Sequence, residues 1–221
     1  AGHMPRRALI EHRPWLLASL AASISYFFFR DNPVPGLYLI AWKGAGVGLL
    51  AVYAARQAKA ADGWLLTAVL AIGALADMVL ELDLVAGGAL FALAHLVAIG
   101  LFIRNPRLRR TGSQTLAAGA LLLATPLVAA LMAVPDPRWP LAAGYAALVG
   151  AMAASAWLSC FPRYRVGLGA VLFVISDLLI FARESQRLPE EVTWWLIWPL
   201  YYAGQFLITI GAIGVLKRRT G

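Results

Sequence analysis

Eight apolar stretches follow one another along this chain, and each is as long as a helix that crosses a lipid bilayer. About 20 residues of α-helix span the hydrocarbon core of a membrane. The stretches cover residues 14–29, 36–55, 63–82, 84–103, 115–134, 139–158, 166–182 and 194–215. Charged residues make up 14% of the chain, against about 25% in an average soluble domain. The sequence therefore predicts an all-α, polytopic membrane protein with eight transmembrane helices.

Little sequence remains outside these stretches. Residues 1–3, Ala-Gly-His, have the character of an expression-tag scar, so we expect the native chain to begin at Met4. Residues 4–221 are predicted to form one eight-helix transmembrane domain. Ala76-Asp77 in the third stretch resembles Ser176-Asp177 in the seventh. This short similarity leaves open whether the domain consists of two parallel four-helix repeats.

Basic residues are distributed unevenly between the two sides of the predicted helices. When the connections are assigned alternately to the two sides, most of the 19 Lys and Arg residues fall on the side that holds both termini. This is the positive-inside pattern, which places such loops in the cytoplasm. We therefore expect an integral protein of the bacterial inner (cell) membrane with cytoplasmic N- and C-termini. The same pattern accounts for the net charge of +8, so no nucleic-acid partner is expected.

Ionisable side chains lie within the apolar stretches, where they are costly. A charged residue at the centre of a transmembrane helix costs at least about 2.5 kcal/mol, so each is a candidate for a functional role. Asp77 and Asp177 lie in the third and seventh stretches, Lys43 in the second and His95 in the fourth, and Glu81 follows Asp77 by one helical turn. The helix directions place all five between the outer rim and the midplane. We expect them to line one cavity that opens outward.

A second set of polar residues is predicted at a similar depth, with roles in substrate binding or in tuning the charges of the aspartates. These residues are Ser176, Tyr201, Tyr202 and Gln205. The two tyrosines also fit an aromatic belt at the membrane interface, as do Trp194, Trp195 and Trp198.

Purely structural roles are open for the other candidates. Lys43 could pair with an aspartate, and a buried pair of this kind can serve packing alone. His95 could be a hydrogen-bonded core residue, Glu81 a solvated helix end, and Ser176 a donor to a backbone carbonyl of its own helix.

The candidate residues favour acid–base chemistry without a metal or another cofactor. A tri-histidine zinc site is excluded, because the predicted native chain has His12 and His95 alone and His12 lies on the cytoplasmic flank. A Ser-His-Asp hydrolase is disfavoured by the absence of a Gly-x-Ser-x-Gly motif. Two aspartates in one pocket can instead divide the work, one protonated as an acid and the other ionised as a base. Such a pair suits cleavage of an acid-labile bond, and the residues leave open which aspartate is the acid.

Four features carry a resemblance to a known family. They are Lys43 inside the second stretch, Ala76-Asp77-x-x-Leu80, Phe91-x-x-x-His95 and Phe173-x-x-Ser176-Asp177. With these residues, and with its length and eight-span layout, the chain resembles the YhhN family of integral membrane proteins, which includes the lysoplasmalogenases.

This resemblance implies a membrane-embedded ether hydrolase. It would cleave the vinyl ether bond of lysoplasmalogens, which are alkenyl-glycerophosphocholines or -ethanolamines, into a fatty aldehyde and a glycerophospho head group. Asp77 and Asp177 would share the acid and base roles, and His95 would orient water or a carboxylate. Lys43 would tune the aspartates or meet the lipid phosphate. The lysophospholipid would reach the site laterally from the membrane lipids.

Two other functions are compatible with the residues. Intramembrane Asp, His and Lys also occur in proton relays, so a proton-coupled carrier of a small amphipathic molecule is the main alternative. A carrier needs access from both sides, whereas the polar residues here are predicted in the outer half. A lipid-binding or scaffolding protein with structural ion pairs is the third interpretation. The sequence does not indicate the oligomeric state.

Overall fold

The computed structural model describes residues 5–220, with side chains described for residues 12–220. The predicted tag scar and Met4 lie outside these residues. Eight α-helices account for most of the described chain. They are α1 (Pro5–Phe29), α2 (Gly36–Gln57), α3 (Ala61–Leu80), α4 (Leu84–Arg104), α5 (Gly112–Ala133), α6 (Trp139–Leu158), α7 (Leu168–Glu184) and α8 (Glu190–Thr220). One turn of π-helix, Arg163–Gly167, leads directly into α7.

Seven of the helices within residues 5–220, α2 to α8, are long and apolar enough to cross a membrane. Backbone groups in lipid must find their hydrogen bonds inside the chain, and a helix meets this need within one segment. The prediction of an all-helical, polytopic architecture is confirmed to this extent. The eighth span, assigned to α1, and the two four-helix repeats stay predictions.

Consecutive helices pack against one another, and the last helix closes the bundle. α8 packs against α7 and also against α1, α2 and α3. α6 packs against both α4 and α7. α8 therefore lies between α3 and α7, the two helices that carry the aspartates. Residues of all three helices face a common space.

Two glycines allow α7 and α8 to approach closely. A Cβ atom on Gly169 of α7 would lie 2.6 Å from the carbonyl oxygen of Gly204 of α8, and a Cβ atom on Gly204 would meet the Gly169 carbonyl oxygen at the same distance. No larger residue fits there without moving a backbone. Small residues commonly mark such close helix crossings in membranes, and this crossing sets the position of Asp177 relative to α8.

Candidate active site

A cavity of about 160 Å³ lies between α2, α3, α7 and α8. Its charged lining residues are Arg30, Lys43, Asp77, Glu81, Asp177, Arg183 and Glu190. Arg30, Glu81, Arg183 and Glu190 lie at helix ends, and these four residues define what we call the mouth. The mouth is at the end of the bundle where α1 and α7 end and α8 begins, opposite the described chain termini.

Asp77 is buried on the wall of this cavity, with 2% of its surface exposed. The Tyr201 hydroxyl of α8 donates a hydrogen bond of 2.7 Å to Asp77 Oδ2. Gln205 Nε2, one turn further along α8, donates to the Tyr201 oxygen over 3.3 Å. Gln205 itself does not line the cavity. These three side chains form a short relay that ends on one carboxylate oxygen of Asp77.

Gly73 makes room for this relay. It lies one helical turn before Asp77 on the same face of α3. A Cβ atom at Gly73 would lie 3.2 Å from Gln205 Nε2 and 3.9 Å from the Tyr201 hydroxyl oxygen. The missing side chain therefore lets α8 present Tyr201 to Asp77.

Asp177 has a different set of partners on the opposite wall. The Tyr145 hydroxyl of α6 donates to Asp177 Oδ2 over 2.7 Å. His95 Nε2 lies 3.1 Å from the Tyr145 hydroxyl oxygen and 3.9 Å from Asp177 Oδ2. Because the Tyr145 proton is used for Asp177, the Tyr145 oxygen is the acceptor and His95 Nε2 carries the hydrogen.

An aromatic cluster separates His95 from the cavity. Phe91, Phe173 and Tyr201 pack edge to face, with ring centroids 5.1–5.7 Å apart. The His95 ring packs edge-on against Phe173 at 4.9 Å. His95 is 3% exposed and is absent from the cavity wall. Its hydrogen-bond contact with the site therefore runs through Tyr145.

Lys43 forms an ion pair with Glu81 near the mouth. Its Nζ lies 2.5 Å from Glu81 Oε1, with 13% of the Lys43 side chain and 42% of the Glu81 side chain exposed. Glu81 shares a helix face with Asp77, and the Lys43 ammonium also acts electrostatically on Asp77. The favourable charge of Lys43 therefore falls on the Asp77 side of the cavity.

The remaining predicted residues separate into two groups. Ser176 lines the cavity and donates to the Ile197 carbonyl oxygen of α8 over 3.0 Å. Tyr202 is directed elsewhere: its hydroxyl lies 2.6 Å from Ser19 Oγ of α1, and it does not line the cavity.

The three tryptophans assigned to an aromatic belt differ in exposure. Trp195 is 58% exposed, whereas Trp198 is 5% exposed. Trp194 and Trp198 both line the cavity. The belt assignment is wrong for Trp198, because α8 turns this side chain inward towards α1 and α2.

Sequence reasoning missed several residues of the site, among them Tyr145 and Arg30. Tyr145 lies in the outer part of the sixth predicted span, at a depth similar to that of Asp177, so its depth was a usable signal. Arg30 follows α1 and was counted among the loop charges. Its position on the cavity wall depends on how α1 packs against α8, which the sequence does not reveal.

Within residues 12–220, no three His, Cys, Asp or Glu side chains are grouped as they would be around a metal ion. The residues that line the cavity instead provide two buried carboxylates, each anchored through Oδ2 by one tyrosine.

The chain was compared with known proteins. It matches the model of the YhhN family over residues 38–212, a range that includes both aspartates and both tyrosine donors. Neither the curated proteins nor the solved structures that were compared include a match. Since the matched range covers most of the 221 residues, this protein belongs to the YhhN family.

Proposed function

We propose that this protein is a lysoplasmalogenase, which hydrolyses the vinyl ether bond of lysoplasmalogens to a fatty aldehyde and a glycerophospho head group. One observation carries the proposal: Asp77 and Asp177 lie buried on one cavity, and each is held by a tyrosine through a single carboxylate oxygen. No described side chain donates a hydrogen bond to Oδ1 of either aspartate. Both Oδ1 atoms are therefore available for substrate or water. The association of the YhhN family with this activity supports the proposal.

The surroundings of the two aspartates suggest different charges. Burial favours the neutral acid at both aspartates, but at Asp77 the Lys43 ammonium opposes it, because an opposite charge favours the ionised carboxylate. Asp177 is surrounded by Tyr145 and His95, and burial without a cation favours the neutral acid. We assign Asp177 as the proton donor and Asp77 as the carboxylate that stabilises positive charge.

Vinyl ether hydrolysis then proceeds in three steps. Asp177 gives its proton to the alkenyl carbon β to the ether oxygen, which leaves an oxocarbenium ion opposite the Asp77 carboxylate. Water adds to the carbon bonded to oxygen while Asp77 takes one of its protons, and a hemiacetal results. Asp77 then protonates the departing glycerol oxygen, and Asp177 removes the hemiacetal hydroxyl proton. The products are the aldehyde and the glycerophospho alcohol, and both aspartates return to their starting charges.

The size and lining of the cavity suit the reacting part of such a lipid. A volume of about 160 Å³ is far smaller than a whole lysophospholipid, so the alkenyl chain must extend into the bilayer. Leu80, Leu84 and Ile180 provide an apolar wall near the mouth, and Leu84 is 46% exposed. We propose that the chain leaves the cavity along this wall.

The orientation in the membrane is also part of the proposal. Basic loops gather at the end that holds the described chain termini, which places that end in the cytoplasm by the positive-inside rule. The mouth then opens to the outer side of the bacterial inner membrane. A carrier requires a path to both sides, and the polar side chains of the site lie towards one end.

The test is fatty-aldehyde release from a synthetic alkenyl-glycerophosphoethanolamine by the purified protein in detergent with EDTA. We expect aldehyde from the wild type and none above background from an Asp77→Asn/Asp177→Asn double variant of equal thermal stability. The saturated alkyl ether analogue serves as a substrate control, because it has no carbon–carbon double bond to protonate.

A different result would redirect the assignment. A folded wild type that releases no aldehyde from either the choline or the ethanolamine lipid would exclude this activity. Proton-coupled movement of the lipid across vesicles without aldehyde release would then favour the carrier.

A further inference from the structure

Arg30 presents an unused hydrogen-bond donor at the mouth of the cavity. Its guanidinium stacks over the Trp194 ring at 3.9 Å and lies 4.7 Å from the Phe27 ring centroid. Its Nη2 donates to the Trp194 carbonyl oxygen. The Nε–H, in contrast, is buried and has no acceptor among the described residues. Buried donors without a partner are rare in native proteins, so this one points to a ligand.

Arg30 also lacks an anionic partner. None of the ion pairs found among residues 12–220 includes it, whereas Lys43 is paired with Glu81 and Arg183 with Glu184. Burial lowers the pKa of the Arg30 guanidinium, yet an arginine keeps its charge at neutral pH. Asp31 and Glu81 act on Arg30 electrostatically, but no described carboxylate forms an ion pair with this half-buried guanidinium.

The other groups at the mouth define which ligand fits. Arg183 lines the same cavity and is close enough to repel Arg30 electrostatically. Glu81 and Glu190 line the same opening, and Glu81 is paired with Lys43 and Arg183 with Glu184. Selection of an anion here therefore depends on the free N–H donor of Arg30 and not on an excess of positive charge, and arginine binds phosphate through a fork of N–H donors. The aspartates lie deeper in the cavity, so an anion at the mouth stays apart from them.

We propose that Arg30 binds the phosphate of the lysophospholipid at the cavity mouth. This contact would place the vinyl ether bond between the two aspartates. This inference rests on the proposed function for the identity of the lipid. It differs from the sequence-based assignment of the phosphate to Lys43, because Lys43 is occupied by Glu81. Arg30 precedes the residues that match the family, so the assignment concerns this chain in particular.

The experiment compares a lipid that carries a phosphate with one that does not. An ester lysophosphatidylethanolamine and the matching monoacylglycerol are titrated against the whole protein in nanodiscs, and binding is followed by tryptophan fluorescence. The wild type should bind the phospholipid more tightly. Arg30→Gln should lose roughly 10–100-fold in affinity for it, the scale of a charge-assisted hydrogen bond, and keep its affinity for the monoacylglycerol. Arg30→Lys, which retains the charge, should lose less.

Matched variants and a soluble anion complete the design. Arg138→Gln removes an exposed arginine that is paired with Asp136 at the same end of the bundle, and it should bind both lipids as the wild type does. The proposal would be overturned if Arg30→Gln and Arg30→Lys each lost as much affinity for the monoacylglycerol as for the phospholipid, since a structural role of Arg30 predicts that result. Displacement of the lipid by inorganic phosphate at millimolar concentration would overturn the lipid assignment.

This test is independent of turnover, because neither lipid contains a vinyl ether. Arg30-dependent preference for the phospholipid without any aldehyde release would leave the phosphate site standing and remove the proposed reaction. Aldehyde release without that preference would support the proposed reaction and remove the phosphate site.

Discussion

Asp77 and Asp177 occupy opposite walls of one cavity and share a way of being held, but their neighbours differ in charge. Each accepts a hydrogen bond of 2.7 Å at Oδ2 from a tyrosine on another helix. Behind Tyr201 stands the neutral amide of Gln205, and behind Tyr145 stands His95. The cation nearest the pair, Lys43, acts on Asp77.

Both carboxyl groups are buried, which favours the neutral acid, so the cation beside Asp77 is the feature on which the proposed separation of roles depends. Enzymes that use paired carboxylates commonly separate their roles in this manner. The following experiments test whether the separation holds in this protein.

The largest effect is expected from replacing each aspartate singly with asparagine. Asp177→Asn and Asp77→Asn should each reduce turnover by about 10²–10⁴-fold, the range for loss of a general acid or base. The residual rate of Asp177→Asn should rise as the pH falls, because hydronium must then supply the proton. The residual rate of Asp77→Asn should instead reach a plateau at acidic pH, once Asp177 is fully protonated. Aldehyde release measured at several pH values between about 5 and 8 tests both pH profiles.

Asp136→Asn is the matched control for these two variants. It removes an exposed carboxylate at the same end of the bundle, paired with Arg138, and turnover should stay at the wild-type level. A residual rate that keeps rising with acidity in Asp77→Asn, together with a plateau in Asp177→Asn, would reverse the two assignments.

An intermediate effect is expected at the tyrosines. A hydrogen bond to a charged group contributes about 1.5–3 kcal/mol, and one between neutral groups about 0.5–1.5 kcal/mol. Tyr201→Phe should therefore lower turnover by roughly 10–100-fold, and Tyr145→Phe by roughly 2–10-fold. Steady-state aldehyde release gives the comparison directly. The opposite order would indicate that Asp177 carries the charge.

Tyr202→Phe provides the control for the tyrosine pair, since its hydroxyl contacts Ser19 outside the cavity. This variant should lose about 0.5–1.5 kcal/mol of stability and keep its turnover. A loss of turnover comparable to that of Tyr201→Phe, without a loss of stability, would place Tyr202 in the reaction.

The smallest effect is expected at the ion pair. Lys43→Met removes the cation that favours ionised Asp77, and for partly exposed charges this interaction is worth about 1 kcal/mol. Turnover should fall about fivefold. Glu81→Gln leaves the Lys43 charge in place and should keep wild-type turnover. Equal losses in both variants would show that the pair acts by packing and not through Asp77.

The helices of this protein were predictable from local sequence. An apolar stretch as long as α3 or α4 has few alternatives in a membrane, because lipid offers no hydrogen bonds to an irregular backbone. The boundaries were less certain, as the π-helical turn at Arg163–Gly167 illustrates. No local signal marks that turn, since its residues could equally begin an ordinary helix.

The site was predictable in part. Lys43, Asp77, Glu81, Ser176, Asp177 and Tyr201 line one cavity, and the cost of polar groups in the membrane drew attention to the charged members. Tyr201 and Tyr202 were both predicted at the site, but Tyr202 does not line the cavity. The sequence does not identify which of the two adjacent side chains does so, because this depends on how α8 is rotated about its axis.

The sequence by itself determined that this chain forms apolar helices with two aspartates placed at similar depth, because depth follows from position along a helix. Only the tertiary structure decided which side chains hold each aspartate. The contacts of Tyr145 with Asp177 and of Tyr201 with Asp77 join residues 32 and 124 positions apart. They depend on the rotation and crossing of helices, which Gly73, Gly169 and Gly204 set by allowing backbones to approach. No local pattern encodes these crossings, since they arise from the packing of several helices at once.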